Sequence, residues 1–301
     1  MSTLHALLPP LSRFESLPEV TRRLARADAL PKGASGELAA SDCFQWPGAD
    51  LPVAALMREQ SVGDAGDEVW LSADPAHVKP DMTGARMLAC GSLDITADEA
   101  EALSAPLRPL FGDSGMLLET TSPSRWHVRL TANSPLPPFS HPGDVLGDDL
   151  AYHLPEGDDG RRWRQLFNEV QILLHQNPAN REREQRGQMP VNALWFWGGG
   201  RLPAWIKSDV RQVFADDRLP RVLARQAGIG AQALQAFDAG KRLASDTLLD
   251  LGRSGSPQAC SDMVFGMLQK RRVDALILHF AGGERWRMTR GQRWRFWRRA
   301  Q

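Results

Sequence analysis

At 301 residues, 42% hydrophobic and 24% charged, the chain can bury a substantial core as one large domain or two smaller ones. No apolar run approaches the ~20 residues of a membrane-spanning helix, and the start, MSTLHALLPP, lacks the basic head of a secretory signal. A cytoplasmic protein without membrane contact is therefore expected, and its oligomeric state is left open. The 36 basic and 36 acidic residues cancel overall, but residues 270–301 hold ten Lys or Arg against two acids, a local +8.

Residues 1–60 are interrupted by prolines, with helices expected over 18–27 and 53–59 and no catalytic pattern. A strand is expected from Glu68, paired in a hairpin with residues 85–94 around Lys79-Pro80-Asp81. Thr96 and Glu99 then form a capping box that opens a helix, which Pro106 and Pro109 threaten to break. Residues 124–131 alternate Trp126, Val128 and Leu130 with polar neighbours, the period of a half-buried strand. The proline-rich stretch that follows reads as an irregular loop, functional or mobile.

The longest amphipathic helix is predicted from Trp163 to about Gln176, with Trp163, Leu166, Phe167, Val170, Leu173 and Leu174 on one face. Pro178 disfavours helix at Asn177, so a polar loop carrying Arg181, Arg183 and Arg186 is expected next. The uncharged run from Val191 to Trp197 reads as a buried strand ending in Gly198-Gly199-Gly200. That triplet is either a sharp turn or a close backbone approach to a ligand. Beyond it, helices are expected over 208–214, 219–227, 231–237 and 257–271, and a second buried strand over 273–280. Gly228-x-Gly230-x-x-Ala233 imitates a dinucleotide fingerprint but follows a helix pattern, so it lacks the required strand–turn–helix context. Strands alternating with helices indicate an α/β fold with a mixed sheet flanked by helices.

The stretch NPANREREQRGQMPVNALWFWGGG (177–200) resembles the signature of the archaeal-type, cofactor-independent phosphoglycerate mutases of the alkaline phosphatase superfamily. Asn192, Trp195, Trp197, Gly198 and Gly200 match its N-x-x-W-x-W-G-x-G strand. The likeness extends in both directions, over about residues 60–240 and strongly over 175–203, taking in residues 68–88 and 95–103, and is most like a degenerate bacterial branch, called phosphoglycerate mutase-like or regulators of pathogenicity factors. It implies a reduced phosphoglycerate mutase-like scaffold, with an N-terminal segment over 1–60, a substrate-domain-like module over 61–205 and a third region over 206–301, or one compact domain overall.

The resemblance also implies which residues to look for. The family's enzymes use two divalent metals held by Asp and His, and a serine that accepts the phosphoryl group. No metal-binding Asp-Gly pattern or nucleophile context is recognisable in residues 1–60. His279 is the one candidate ligand left of the family's C-terminal set. His77, between Asp74 and Asp81, is a second candidate, with a solvated turn as its plainer reading. What the resemblance carries over is substrate recognition: Arg181 and Arg186 as guanidinium forks, with Asn192 and the amides of Gly198, Gly199 and Gly200 as neutral donors. The plainer reading pairs those arginines with Glu182 and Glu184. In the tail, Arg285, Arg287, Arg293 and Arg295 alternate with Trp286, Met288, Trp294 and Phe296. That is the pattern of a β-hairpin, and secondarily of an anionic or nucleic-acid partner's grip. Cys43, Cys90 and Cys260 are far apart and form no C-x-x-C, which speaks for reduced structural thiols and against a zinc site.

Together these readings point to a non-catalytic, phosphoglycerate mutase-like binding or regulatory protein that recognises a small anionic metabolite, with no cofactor. The enzyme alternative, a phosphoglycerate mutase or phosphatase, would need divalent Mn or Mg. Nucleic-acid binding through the tail is the third reading.

Overall fold

The computed structural model describes residues 2–82, 84–131 and 134–295. Strand β1 (Thr3–Leu8), helix α1 (Pro18–Arg26), strand β2 (Asp28–Leu30) and a 3-10 helix over Gly36–Cys43 come first. There follow α2 (Val53–Ser61), β3 (Val69–Pro80), β4 (Ala85–Cys90), α3 (Ala97–Ser104), α4 (Leu107–Asp113), β5 (Leu117–Ser122), β6 (Arg125–Leu130) and α5 (Pro142–Val145). The next elements are α6 (Gly157–Gln176), α7 (Pro178–Gln185) and β7 (Ala193–Gly200). The last are β8 (Gln212–Phe214), α8 (Arg218–Gln226), β9 (Gly230–Gln232), β10 (Thr247–Asp250), α9 (Pro257–Gln269), β11 (Ala275–Phe280) and β12 (Arg285–Thr289). The chain divides into two compact units, Met1–Pro47 with Ala204–Gln301, and Gly48–Pro203. Among the described residues no helix is long and apolar enough to cross a membrane.

The first unit is built on a seven-stranded sheet of order β2-β12-β11-β1-β10-β8-β9. The neighbours β11, β1, β10, β8 and β9 run parallel, and β12 and β2 add an antiparallel edge. Period-two alternation gives β1 two faces. Leu4, Ala6 and Leu8 join Leu249, Leu276, Leu278 and Phe280 in a core against Val20 and Leu24 of α1 and Val264 and Phe265 of α9. The opposite parity carries His5 and Leu7, with Leu7 in register with His279 and Asp250.

The N-terminal segment expected over 1–60 is therefore not a separate region. Its first strand lies between β10 and β11, and α2 belongs to the second unit. A six-residue strand followed by Pro9-Pro10 is too short to be distinguished from a proline-broken loop by periodicity.

The second unit is an antiparallel sheet of order β4-β3-β6-β5, with β7 on the other side of β3. One face packs Val69, Leu71, Ala73, Trp126, Val128, Leu194 and Phe196 against Leu103, Phe111, Trp163, Leu166, Val170 and Leu174 from α3, α4 and α6. On the other face Trp70 lies with Ala54 and Ala55 of α2, and the Arg58 guanidinium stacks 4.5 Å from its ring.

Three expectations are corrected here. The polar loop after α6 is helix α7: Asn177 leaves helical geometry but caps the next helix by accepting from the Ala179 N–H, with Pro178 at the first helical position. The helices expected over 208–214 and 231–237 are replaced by β8, β9 and a short 3-10 turn over Leu234–Ala236, drawn into extended form by parallel pairing. The C-terminal hairpin is absent among the described residues. β12 pairs with β11 and β2, and Arg290–Trp294 is a 3-10 helix capped by Thr289 and Gln292. Phe296 and the side chain of Arg293 lie outside the described residues.

Candidate functional site

In the first unit, three side chains from distant parts of the chain meet. His5 projects from the middle of β1, His279 from near the end of β11, and Cys43 from the last residue of the Gly36–Cys43 3-10 helix. The His5 Nδ1 is 3.4 Å from His279 Nε2 and 3.3 Å from the Cys43 Sγ, which is 3.9 Å from His279 Nε2. Ser208 anchors the turn by donating to the Cys43 carbonyl at 2.6 Å. His279 is buried, and His5 and Cys43 are half-buried. The cluster lies toward the carboxyl ends of the parallel strands, where open α/β sheets place their ligand sites.

A second layer orients this cluster. Asp42 Oδ2 lies 3.5 Å from His279 Nδ1 and 3.1 Å from Arg285, and Asp42 Oδ1 accepts from the Ala34 N–H. Gly33 makes room for it: a Cβ there would fall 1.9 Å from Asp42 Oδ2 and 2.5 Å from Arg285 Cδ. With Asp42 facing Nδ1, the His279 proton belongs on that nitrogen and the Nε2 lone pair faces Cys43 and His5. Burial, and then the neighbouring His279, lower the His5 pKa to about 4, so its ring is neutral. Burial, reinforced by Asp42, pushes the Cys43 thiol up to about 12. Burial opposes ionisation of Asp42 itself, but His279, the Ala34 N–H and Arg285 together hold it below the usual carboxylate range.

The first unit also holds a cavity of about 430 Å³ lined by Arg22, Arg23 and Arg26 of α1, Arg290, Leu268 and Met288, with Glu19 as its acid. Arg23 is held over the Phe265 ring at 4.8 Å, and Arg290 is 3.4 Å from Asp274. Cationic forks around a partly apolar floor suit a small organic anion.

The residues expected to bind substrate do not converge. Arg186 and Arg183 both pair with Glu99, and buried Arg183 also donates to the carbonyls of Asp94 and Met189 at 2.8 and 3.0 Å. Arg181 is exposed on α7. Asn192 is spent on β3, accepting from the Val78 N–H and donating to the Val78 carbonyl, both at 2.7 Å. Gly198 and Gly200 adopt φ of 62° and 146°. Added Cβ atoms there would stand 3.0 Å from Val53 and 2.8 Å from Pro52, so the close approach is to the protein's own chain.

His77 meets the Pro190 carbonyl at 2.8 Å, while Asp74 accepts from the Trp197 indole and Asp81 pairs with Arg86. In the tail, Arg285 is engaged by Asp42 and Arg295 by Asp28, and Arg287 is exposed. His5 and Cys43 escaped sequence reasoning because 38 and 236 positions separate Cys43 from its two partners, and only the sheet brings them together.

No protein-family model matches the chain. A stretch of 62 residues is 37% identical to a probable 2,3-bisphosphoglycerate-independent phosphoglycerate mutase of Geobacter sulfurreducens, covering 21% of this chain and 16% of that protein. A similar stretch of 63 residues is 36% identical to the 2,3-bisphosphoglycerate-independent phosphoglycerate mutase of Methanothrix thermoacetophila, with the same coverage. One fifth of the chain is thus related in sequence to these mutases. The match spans about a sixth of their length. Among solved structures, the cofactor-independent phosphoglycerate mutase of Thermoplasma acidophilum aligns with 96% of this chain and 90% of its own, at 14% identity and a TM-score of 0.35.

The two-metal chemistry implied by the resemblance of residues 177–200 can be compared with the side chains present. Among the described residues, one group of three or more His, Cys, Asp or Glu ligand atoms lies close enough to share an ion: His5, Cys43 and His279. One thiol and two imidazoles suit zinc or copper, whereas Mn and Mg favour carboxylate, carbonyl and water oxygens. This donor set does not fit the Mn or Mg pair of a phosphoryl-transfer site.

Proposed function

We propose that this chain is a binding or regulatory protein related to the cofactor-independent phosphoglycerate mutases, which recognises a small phosphorylated or carboxylated metabolite without transferring a phosphoryl group. The arginine-lined cavity of the first unit carries this reading. Its volume lies within the ~300–1,000 Å³ of small-molecule sites, and Arg23 is preorganised by its stack on Phe265. An anion there would meet the Arg22 guanidinium beside those of Arg23 and Arg290, which the Gln269 amide and Asp274 already contact, while its carbon skeleton rests on Leu268 and Met288. The Arg181–Arg186 region supports the reading less, because Glu99 already engages Arg183 and Arg186.

Two measurements on the full chain test the proposal. Calorimetric titration with 3-phosphoglycerate should show one saturable site, weakened at least tenfold by Arg22→Glu. A coupled assay for conversion to 2-phosphoglycerate with added manganese should show no turnover. Chelator-sensitive turnover would overturn the non-catalytic reading, and titration without saturable heat would overturn the ligand class.

A further inference from the structure

We propose that His5, Cys43 and His279 form a mononuclear zinc site with an open coordination position. The separations of their ligand atoms match that geometry. A tetrahedral zinc with bonds of about 2.05 Å to nitrogen and about 2.3 Å to sulfur sets its two nitrogens about 3.3 Å apart and each nitrogen about 3.6 Å from the sulfur. The three distances here are 3.4 Å between nitrogens and 3.3 and 3.9 Å from nitrogen to sulfur. One ion can therefore reach all three atoms with shifts of a few tenths of an ångström.

The surroundings support the same assignment. A metal-bound imidazole characteristically donates its second N–H to a carboxylate, which fixes the ring and raises its basicity. Asp42 occupies that position beside His279 Nδ1, and Arg285 and the Ala34 N–H hold it there. His279 Nδ1, Asp42 Oδ2 and Arg285 Nε are all buried without a well-formed hydrogen bond, although ion-pair contacts surround them. With Asp42 on the Nδ1 side of the ring, His279 Nε2 is left as the ligand atom that faces Cys43 and His5.

Binding of the ion by the Cys43 thiol releases that thiol's proton to solvent and leaves a thiolate–zinc bond. The half-buried setting of His5 and Cys43 gives the ion a route in. Three protein ligands leave the fourth vertex for water or a ligand oxygen, the coordination of a reactive rather than a purely structural zinc. Zinc is preferred over manganese and magnesium because the donor set holds sulfur and no carboxylate.

The test is a cobalt and zinc titration of the metal-stripped full-length chain. Cobalt should bind at one equivalent with a thiolate-to-cobalt charge-transfer band and the intense visible bands of a tetrahedral ion, and zinc should displace it. Cys43→Ser should abolish the charge-transfer band, and His5→Gln and His279→Gln should each weaken binding at least tenfold. Asp42→Asn should weaken it by roughly 10–100-fold while keeping the spectrum. Should a variant fail to fold, wild-type protein still decides the matter. Zinc should protect Cys43 from alkylation, read by peptide mass spectrometry, while the half-buried Cys90 of the other unit reacts equally with and without metal. Folded wild-type protein without the cobalt band, unprotected Cys43 in saturating zinc, or an unchanged spectrum in Cys43→Ser would overturn the assignment.

Discussion

The Glu99–Arg183–Arg186 network and the His5–Cys43–His279 cluster are both polar groups gathered by the fold, but one is saturated and the other is not. Glu99 closes the capping box on the Thr96 N–H, pairs with Arg183 through Oε2 and with Arg186 through Oε1. Arg183 donates in addition to two backbone carbonyls. Its charge is paired and its Nε and Nη1 groups are engaged, so the network fastens α7 to the start of α3. In the cluster, three ligand atoms face one another with no more than one proton able to lie between any pair, and the polar atoms behind them are incompletely bonded. A conspicuous arginine motif can be structural, while a function is better sought where lone pairs converge unused.

The largest effect should come from breaking the saturated network. Arg183→Leu leaves the Glu99 carboxylate without its buried partner and should cost about 3–5 kcal/mol, read by denaturant unfolding. Cobalt binding in the first unit should be unchanged in any fraction that remains folded. A loss under about 1 kcal/mol would show that the network is ornamental.

A smaller effect should appear at the carboxyl end of β10. Burial, then the neighbouring Asp217 and Asp216, raise the Asp250 pKa to about 6, against the pull of the Gly252 N–H and Arg253. The folded state therefore prefers the protonated acid. Asp250 contributes stability that is fully present below about pH 4 and is lost as pH rises through 6. Asp250→Asn should accordingly be near neutral at pH 4 and stabilising by about 2–3 kcal/mol at pH 8. A pH-independent difference between the two proteins would contradict this. The smallest effect is at the capping box, where Thr96→Ala should lower stability by about 1 kcal/mol, with no change in metal or anion binding.

Where local physics decides, the sequence was legible. The i, i+3, i+4 stripe located α6, the Thr96–Glu99 spacing located the start of α3, and the alternation of Trp126, Val128 and Leu130 located β6. Helix α7 was legible in principle, since Asn177 followed by Pro178 is both a stop for one helix and a start for the next. The short strands β1, β8 and β10 were not, because three to six residues carry too little periodicity and their extended form is imposed by parallel neighbours. The cluster was hidden for the same reason. His279 stood out as a lone candidate, but its partners are set by the register of β1 against β11 and by the 3-10 helix that ends at Cys43.

The most direct test of the contrast between the two regions is calorimetric binding of 3-phosphoglycerate to wild-type protein, Arg22→Glu and Arg186→Ala. Arg22 lines the cavity of the first unit, and Arg186 belongs to the Glu99 network of the second. A ligand site in the arginine-lined cavity predicts affinity reduced at least tenfold in Arg22→Glu and unchanged within a factor of two in Arg186→Ala. The reverse pattern, with binding lost in Arg186→Ala and kept in Arg22→Glu, would contradict it and return the ligand site to α7.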